Sequence, residues 1–272
     1  MTLTRAQVSE LLARVDRHPS RALGQNFVVD PNTVRRIARL AAVGPGDRVV
    51  EIGAGLGSLT LALVETGAEV TAVEIDRHLV PLLRETVEGT GVVVVEGDAM
   101  AMDWAALLGE GPWVLVANLP YNVATPLVAD LLDDVPAVQR MLVMVQKEVG
   151  ERLAAHAGDD AYGAVSVKVG YWATAKVVGL VPPTVFLPKP NVDSALVAIE
   201  RRPTPATDAP RERLFELVRA GFGQRRKMLR RSLAGLVGPE AFESAGVRPE
   251  ARAEELDVVA WGRLATCSLP PS

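Results

Sequence analysis

The chain has 272 residues, of which 49% are hydrophobic, and a formal net charge of −4. This length and composition suffice for one substantial core and a small second domain, and no stretch is apolar over the length of a membrane span. A single cysteine, Cys267, and three dispersed histidines argue against a disulfide framework, a cysteine-rich zinc site and a histidine cluster, so we expect no metal. The N-terminus lacks a secretory pattern, and we expect a cytoplasmic protein.

The sequence predicts an N-terminal arm over residues 1–22 and two domains after it. From residue 23 to 202, apolar β-branched runs alternate with helix-like stretches, which predicts an α/β domain with a mostly parallel sheet buried on both faces. The proline- and threonine-rich stretch 201–210 indicates a linker, and residues 203–272 are predicted to form a small, all-helical domain. The seven predicted strands cover residues 49–53, 70–76, 92–99, 113–121, 140–146, 175–181 and 194–202.

The first of these strands runs into a glycine-rich turn, Glu51–Ser58, that opens a helix. Gly53 and Gly55 allow the backbone to approach a ligand closely. The third glycine, Gly57, comes one residue too early for the dinucleotide-binding fingerprint, which weakens a nicotinamide interpretation.

Acidic residues follow the next two strands. Glu74, which precedes Ile75, can bind both hydroxyls of a ribose, and Asp98, which precedes Ala99, can accept from an adenine amine. Each acid alone could equally be a helix N-cap. Their joint order after the glycine turn is typical of an S-adenosylmethionine site.

The fourth strand ends in Asn118-Leu119-Pro120-Tyr121, which points to an exocyclic amine as substrate. The lone pair of adenine N6 is delocalised into the ring, so this amine needs acceptors that hold its N–H groups. Asn118 offers a side-chain carbonyl and Leu119 a backbone one. Pro120 fixes the chain direction and Tyr121 offers a flat face to an extruded base. An ordinary strand-to-helix turn would favour the same residue types.

Basic residues are concentrated near the C-terminus despite the negative net charge. Residues 211–235 hold eight basic and two acidic residues, a local charge of 8 − 2 = +6. Such a run is often only a solvated helix face, but it also suits a phosphate backbone. The candidate RNA contacts are Arg225, Arg226, Lys227, Arg230 and Arg231, whereas Met228 and Leu229 between them are expected to face the core of the small domain.

The chain closely resembles the ribosomal RNA adenine N6-dimethyltransferase family, and within it the small-subunit branch named for kasugamycin sensitivity. The resemblance runs from about residue 20 to the end. It is carried by residues 23–27 (LGQNF), 51–57 (EIGAGLG), 73–76 (VEID), 96–99 (EGDA), 118–121 (NLPY), 182–197 (PPTVFLPKPNVDSALV) and 222–233 (FGQRRKMLRRSL).

The resemblance implies a class I S-adenosylmethionine-dependent methyltransferase, with a Rossmann-like, seven-stranded domain. Asn26 and Val28 would contact the cofactor by side chain and backbone. Gly53 would lie beneath its methionine part, and Asn118 would contact both cofactor and target N6. Tyr121 and Phe186 would sandwich the flipped adenine. The resemblance carries over the roles already given to Glu74 for the ribose and Asp98 for the adenine amine.

The implied reaction is dimethylation of two adjacent adenosines near the 3′ end of 16S ribosomal RNA, in small-subunit biogenesis. The implied partner is the small ribosomal subunit, and we expect a monomer. One alternative is the sister branch that methylates large-subunit RNA and confers macrolide resistance. Another is a ribosome-assembly factor that acts mainly by binding immature small subunits. The arm of residues 1–22 could be a frayed helix or an RNA contact.

Overall fold

The chain forms two compact units. The computed structural model describes residues 2–15, 19, 24–120 and 123–268. The first unit comprises Met1–Gly150 and Lys176–Arg201, and the second comprises Glu151–Ala175 and Arg202–Ser272. In the described part of the chain, no helix is long and apolar enough to cross a membrane.

The first unit is built on the parallel sheet that the sequence predicts. The strands of the described residues are β1 (Phe27–Val28), β2 (Arg48–Ile52), β3 (Glu69–Glu74), β4 (Val93–Glu96), β5 (Trp113–Asn118), β6 (Val138–Gln146), β7 (Ala173–Val181), β8 (Phe186–Leu187) and β9 (Ser194–Arg201). The sheet has the order β4-β3-β2-β5-β6-β9-β7. Strands β2 to β6 pair in parallel and β9 is antiparallel to β6. The predicted seven-stranded, mostly parallel sheet is therefore confirmed.

Helices connect these strands and form the second unit. They are α1 (Arg5–Arg14), α2 (Pro31–Ala41), α3 (Ser58–Val64), α4 (Val80–Thr86), α5 (Trp104–Leu108), α6 (Ala124–Asp134), α7 (Lys147–Ala154), α8 (Ala164–Trp172), α9 (Arg211–Gly223), α10 (Leu229–Ser232), α11 (Pro239–Ala245) and α12 (Val258–Cys267).

The crossover strands are apolar because both faces of the sheet are covered. Four of the five residues of β2 are buried, as are five of the six residues of β5. Helix α2 packs its buried residues Val34 and Ile37 into the same cluster as Val49 and Val116 of the sheet. Such burial on both faces explains why the strands read as near-continuous apolar runs rather than as an alternation.

A short antiparallel ribbon, β1 with β8, was not expected from the sequence. Phe27 pairs with Leu187, and Val28 pairs with Phe186. Because successive residues of a strand point to opposite faces, Val28 and Phe186 face one side and Phe27 and Leu187 the other. Val28 and Phe186 lie in the cluster between α2 and the sheet. Phe27 and Leu187 pack against a separate cluster that includes buried side chains of α1.

The boundary between the units differs from the linear division proposed above. The chain enters the second unit at Arg202, close to the predicted linker, but residues 151–175 also belong to that unit. Tyr162 and Tyr171 share a buried cluster with Leu214 and Phe215. Because the apolar side chains of α8 pack against those of later helices, residues 151–175 belong to the helical unit although they lie between strands in the sequence.

The first part of the predicted arm forms a helix, one of the two interpretations that the sequence left open. Residues 5–14 form α1, which Thr4 begins with a capping box: its hydroxyl accepts from the Gln7 amide, and the Gln7 side chain accepts from the Thr4 amide. The helix belongs to the first unit.

Candidate functional site

A crevice lies at the carboxyl ends of the parallel strands β2, β3, β4 and β5. Two adjoining pockets share Gly53, Ile75 and Pro120. This is the position where open α/β sheets bind ligands, because the strand ends leave a gap that the connecting loops line. The first pocket is lined mainly by the glycine turn, residues 24–28 and Asn118, and the second by Asp98, Ala99 and apolar side chains.

The glycine turn gives the crevice a bare backbone floor. Gly53 and Gly55 have φ of 73° and 59°, in the left-handed region that side chains rarely adopt. A Cβ on Gly53 would lie 3.6 Å from the Asn118 carbonyl oxygen, and one on Gly55 would lie 2.9 Å from the Phe27 ring. The lack of side chains at both positions therefore keeps the floor of the pocket open.

Glu74 is held rigidly at the end of β3. Its Oε2 accepts from the Gly55 amide at 2.7 Å, and its Oε1 accepts from the Asp76 amide at 2.8 Å. The side chain is 4% exposed, and burial raises the pKa of its carboxyl although these backbone donors lower it. Each oxygen keeps further acceptor capacity, so the carboxyl can take a pair of hydroxyls from the pocket that it lines.

The second pocket is an apolar slot with one carboxylate. Ile75 and Met100 remain 45% and 42% exposed, which is unusual for large apolar side chains, and Leu127 lines the same slot. Asp98 is exposed, and its Oδ1 accepts from the Met100 amide at 2.9 Å, which fixes the direction of the carboxylate. A flat aromatic ring with an amino group suits such a slot. Ala99 also lines it, as predicted.

Asn118 ends β5 beside the glycine turn, where it lines the first pocket. Its Nδ2 donates to the Asn26 carbonyl at 2.8 Å. This bond orients the amide, and no donor within the described residues occupies Oδ1. Leu119 is buried with its amide bonded to the Met144 carbonyl, and Pro120 begins the turn into α6 by accepting from the Val123 amide. The crevice thus holds the predicted cofactor residues Asn26, Val28, Gly53, Gly55, Glu74, Ile75, Asp98, Ala99 and Asn118, together with Leu119 and Pro120.

The two aromatic residues predicted to flank the target base have different outcomes. Tyr121 lies outside the described residues. Phe186 is 1% exposed and packs in the core cluster with Val28 and Leu196, and it does not itself line either pocket. Its position differs from the expectation because the β1–β8 register turns Phe186 to the core face and Phe27 to the other. Among the described residues, the aromatic side chain that lines the first pocket is Phe27.

Sequence reasoning also missed Glu51. This carboxyl lines the first pocket, is 2% exposed, and has an Oε2 with no hydrogen-bond partner among the described residues. Burial raises its pKa to about 8, the Thr60 hydroxyl opposes the rise, and the nearby Glu74 carboxyl adds to it. An acid inside an otherwise apolar buried strand was the available signal, because such a group is neutral or paired when buried.

In the second unit, the predicted basic cluster divides into two groups. Arg225 donates to the Asp160 carbonyl and pairs with Glu254 at 3.5 Å, and Arg230 pairs with Glu250 at 3.1 Å. Over the described ranges, no hydrogen bond or ion pair engages the exposed side chains of Arg226, Lys227 and Arg231.

The expectation for the two apolar residues of this cluster was half right. Leu229 is fully buried, but Met228 is 41% exposed. Met228 is the N-cap of α10 and has an extended backbone. The helix itself begins at Leu229, whose side chain is buried.

The family model for ribosomal RNA adenine dimethylase matches residues 18–267. The chain belongs to this family. Among curated relatives, "Ribosomal RNA small subunit methyltransferase A" of Kineococcus radiotolerans is 50% identical, with 97% of this chain and 90% of the relative covered. The protein of the same name from Thermobifida fusca is 49% identical, with coverages of 97% and 95%.

Solved structures agree with the methyltransferase fold of the family. The 23S rRNA methyltransferase ErmE is 27% identical with a TM-score of 0.71, covering 89% of this chain and 99% of that one. A dimethyladenosine transferase from Plasmodium falciparum is 24% identical with a TM-score of 0.75, and the match covers 88% and 95% of the two chains. The second likeness bears on the fold alone.

Proposed function

We propose that this chain transfers methyl groups from S-adenosylmethionine to the N6 atoms of two adjacent adenosines near the 3′ end of small-subunit ribosomal RNA, forming N6,N6-dimethyladenosine. The observation that carries this proposal is the Asn118 amide, which the Asn26 carbonyl holds beside the glycine turn with its oxygen left for an amine. The names of relatives 46–50% identical support the small subunit as the substrate.

The crevice fits the proposed cofactor in three ways. The bare glycine turn would accept the methionine part, the fixed Glu74 carboxyl would accept hydrogen bonds from the ribose hydroxyls, and the slot beside Asp98 would accept the adenine. The buried Glu51 Oε2, which has no partner in the described part of the chain, would offer the methionine end a further polar contact. When bound, the cofactor supplies an electrophilic methyl group on its sulfonium.

The protein's own part in the transfer is positioning. Asn118 Oδ1 and the Leu119 carbonyl accept the N–H groups of the target amine, which turns its lone pair toward the methyl group. Neither acceptor titrates, so catalysis requires no change of protonation in the protein. The alkylated amine loses its proton readily to solvent. Tyr121 is retained in the proposal as a stacking face, whereas Phe186 would have to leave the core to serve as one.

The second unit supplies RNA affinity in this proposal. Arg226, Lys227 and Arg231 are exposed and have no partner within the described residues, which suits phosphate contacts. Arg225 and Arg230 already bind carboxylates of their own unit, so their contribution to RNA binding is smaller. We further propose that the protein acts in the cytoplasm as a monomer. Light scattering would test the oligomeric state by measuring the molar mass in solution.

The large-subunit alternative has one supporting observation, the structural likeness to a 23S rRNA methyltransferase at 27% identity. The curated small-subunit relatives have higher sequence identity, 50% and 49%, and the matches cover 97% of this chain. In the assembly-factor alternative the partner is the same, but binding of the small subunit is the main role. A variant that has lost methyl transfer would then still perform that role.

The test uses labelled S-adenosylmethionine with unmethylated small and large ribosomal subunits in separate reactions, followed by mass spectrometry of the nucleosides. We expect dimethyladenosine at two adjacent positions of small-subunit RNA only. Asn118→Ala should abolish transfer with RNA binding retained, and the exposed Asn32→Ala serves as its control. Label confined to large-subunit RNA would contradict the proposal, and binding without transfer by the unmodified chain would favour the assembly factor.

A further inference from the structure

Helix α1 forms part of the wall of the cofactor pocket, although it precedes the residues that the family model matches. Val8 lines the pocket and is 1% exposed. Together with Leu12 it belongs to a buried cluster that includes Leu56 of the glycine turn and Leu79 before α4. The helix is therefore docked on the elements that shape the pocket.

Arg5 is the residue of α1 that reaches the β1–β8 ribbon. Its Nη2 donates to the Thr184 carbonyl at 3.1 Å and to the Phe186 carbonyl at 3.3 Å. Hydrogen bonds from a charged donor are stronger than those between neutral groups. A single guanidinium therefore holds the backbone both at Thr184, before β8, and at Phe186, where β8 begins.

The ribbon connects this contact to Asn118. Phe186 pairs with Val28 in the antiparallel register, and the chain leads from β1 back to Asn26, whose carbonyl accepts from Asn118 Nδ2 at 2.8 Å. A shift of β8 would therefore move β1 and the Asn26 carbonyl, and with them the orientation of the amide.

We propose that Arg5 is a positioning residue for methyl transfer, which fixes the β1–β8 ribbon and thereby the direction of the Asn118 amide. This inference rests on the proposed role of Asn118 as the acceptor for the target amine. It assigns a task in the reaction to an N-terminal element that the family motifs do not include. Since the reacting groups must be aligned within a fraction of an ångström, a small displacement of the amide slows transfer more than it weakens ligand binding.

The opposite end of α1 provides a matched control. Arg14 forms two hydrogen bonds with Glu85 of α4, at 2.8 and 2.7 Å, and both side chains are about half exposed. Removal of Arg14 loosens the docking of the same helix, but this contact does not involve the ribbon. A merely structural role of Arg5 would give the two variants the same consequences.

The experiment measures kcat and KM on small ribosomal subunits, cofactor affinity by calorimetry, and the melting temperature for Arg5→Met, Arg5→Lys and Arg14→Met. The rate is expressed per cofactor-binding site, which removes the effect of any unfolded fraction. We expect kcat of Arg5→Met to fall about tenfold, with cofactor affinity and KM little changed. Arg5→Lys should recover most of the rate because its ammonium can donate to both carbonyls, and Arg14→Met should keep the parental kcat.

Equal kcat values for Arg5→Met and Arg14→Met would overturn the inference, as would a fall in kcat that follows the melting temperature across all three variants. If Arg5→Met does not fold, Arg5→Gln gives the same comparison with a single amide donor. Asn118→Ala separates this inference from the proposed function. If that variant retains transfer, the role of Asn118 itself is wrong; if it is inactive while Arg5→Met is fully active, only the positioning role of Arg5 fails.

Discussion

The Gly55 amide donates to Glu74 Oε2 at 2.7 Å, and this bond joins the glycine turn after β2 to the acid at the end of β3. Gly55 and Glu74 lie 19 residues apart in the sequence, which by itself predicts a separate contact with a ligand for each of them. In the structure they form one unit, because parallel neighbours bring their carboxyl ends to the same edge of the sheet.

Glu74→Gln should weaken cofactor binding about tenfold to a hundredfold, or about 1.4 to 2.8 kcal/mol. The amide that replaces the carboxyl must turn its NH₂ group toward either the Gly55 or the Asp76 amide, which leaves two donors facing each other. Calorimetric titration with S-adenosylmethionine measures the effect. Glu69→Gln, at the exposed opposite end of the same strand, is the control and should bind normally. Unchanged affinity of Glu74→Gln would exclude Glu74 from the cofactor site.

Gly55→Ala should reduce cofactor affinity through contact with Phe27. The new Cβ would lie 2.9 Å from the Phe27 ring, which lines the pocket and must move. Gly89→Ala separates this effect from backbone strain, because Gly89 has a φ of 73° but no atom within 4 Å of the added Cβ. Both variants should lose about 1 kcal/mol of unfolding free energy from the positive φ. Only Gly55→Ala should also lose affinity, and equal affinities would contradict the proposed contact.

The buried Glu51 carboxyl should make stability depend on pH. Its pKa is about 8 in the folded chain and near 4.5 when unfolded. Between these values the unfolded chain releases a proton that the folded chain keeps, so this group's stabilising contribution is complete below pH 4.5 and declines as the pH rises to about 8. The slope is about 1.4 kcal/mol per pH unit.

Glu51→Gln removes this titration while keeping the shape of the side chain. Its unfolding free energy relative to the parent should therefore increase between pH 5 and pH 8, as measured by urea denaturation at each pH. The control Glu69→Gln changes an exposed carboxyl of the neighbouring strand and should show no such trend. A constant difference between Glu51→Gln and the parent would show that Glu51 is ionised in the folded chain.

Arg226, Lys227 and Arg231, the cations of this cluster that have no partner among the described residues, should dominate RNA affinity. The double variant Arg226→Gln/Lys227→Gln should bind small-subunit RNA more weakly and show a shallower dependence of log affinity on log salt, by about 0.7 to 0.9 per lost phosphate contact. Arg225→Gln should affect binding less, since its side chain already pairs with Glu254. Cofactor affinity should be unchanged in both. A larger loss for Arg225→Gln would reverse the assignment within the cluster.

Much of the fold was predictable because its strands are buried on both faces. Continuous apolar runs such as residues 113–117 mark a crossover strand without reference to the rest of the chain, and all seven predicted strands of the sheet occur in the structure. The predicted cofactor residues also lie in one crevice, since they follow directly from strand ends. Short or terminal elements lack such a pattern: the β1–β8 ribbon was missed, and a helix in the N-terminal arm was only one of two interpretations.

By itself, the sequence determined the strand succession, the glycine turn and the polar residues that follow each strand, because these depend on local chemistry and on the parallel arrangement of crossover strands. The tertiary structure alone decided which side chains face the pocket. The pairing of Val28 with Phe186 turns that phenylalanine into the core and leaves Phe27 at the first pocket. Likewise, carboxylates distant in the sequence engage Arg225 and Arg230, and burial raises the pKa of the Glu51 carboxyl. Such outcomes depend on register and burial, which are properties of the packed chain and not of any one segment.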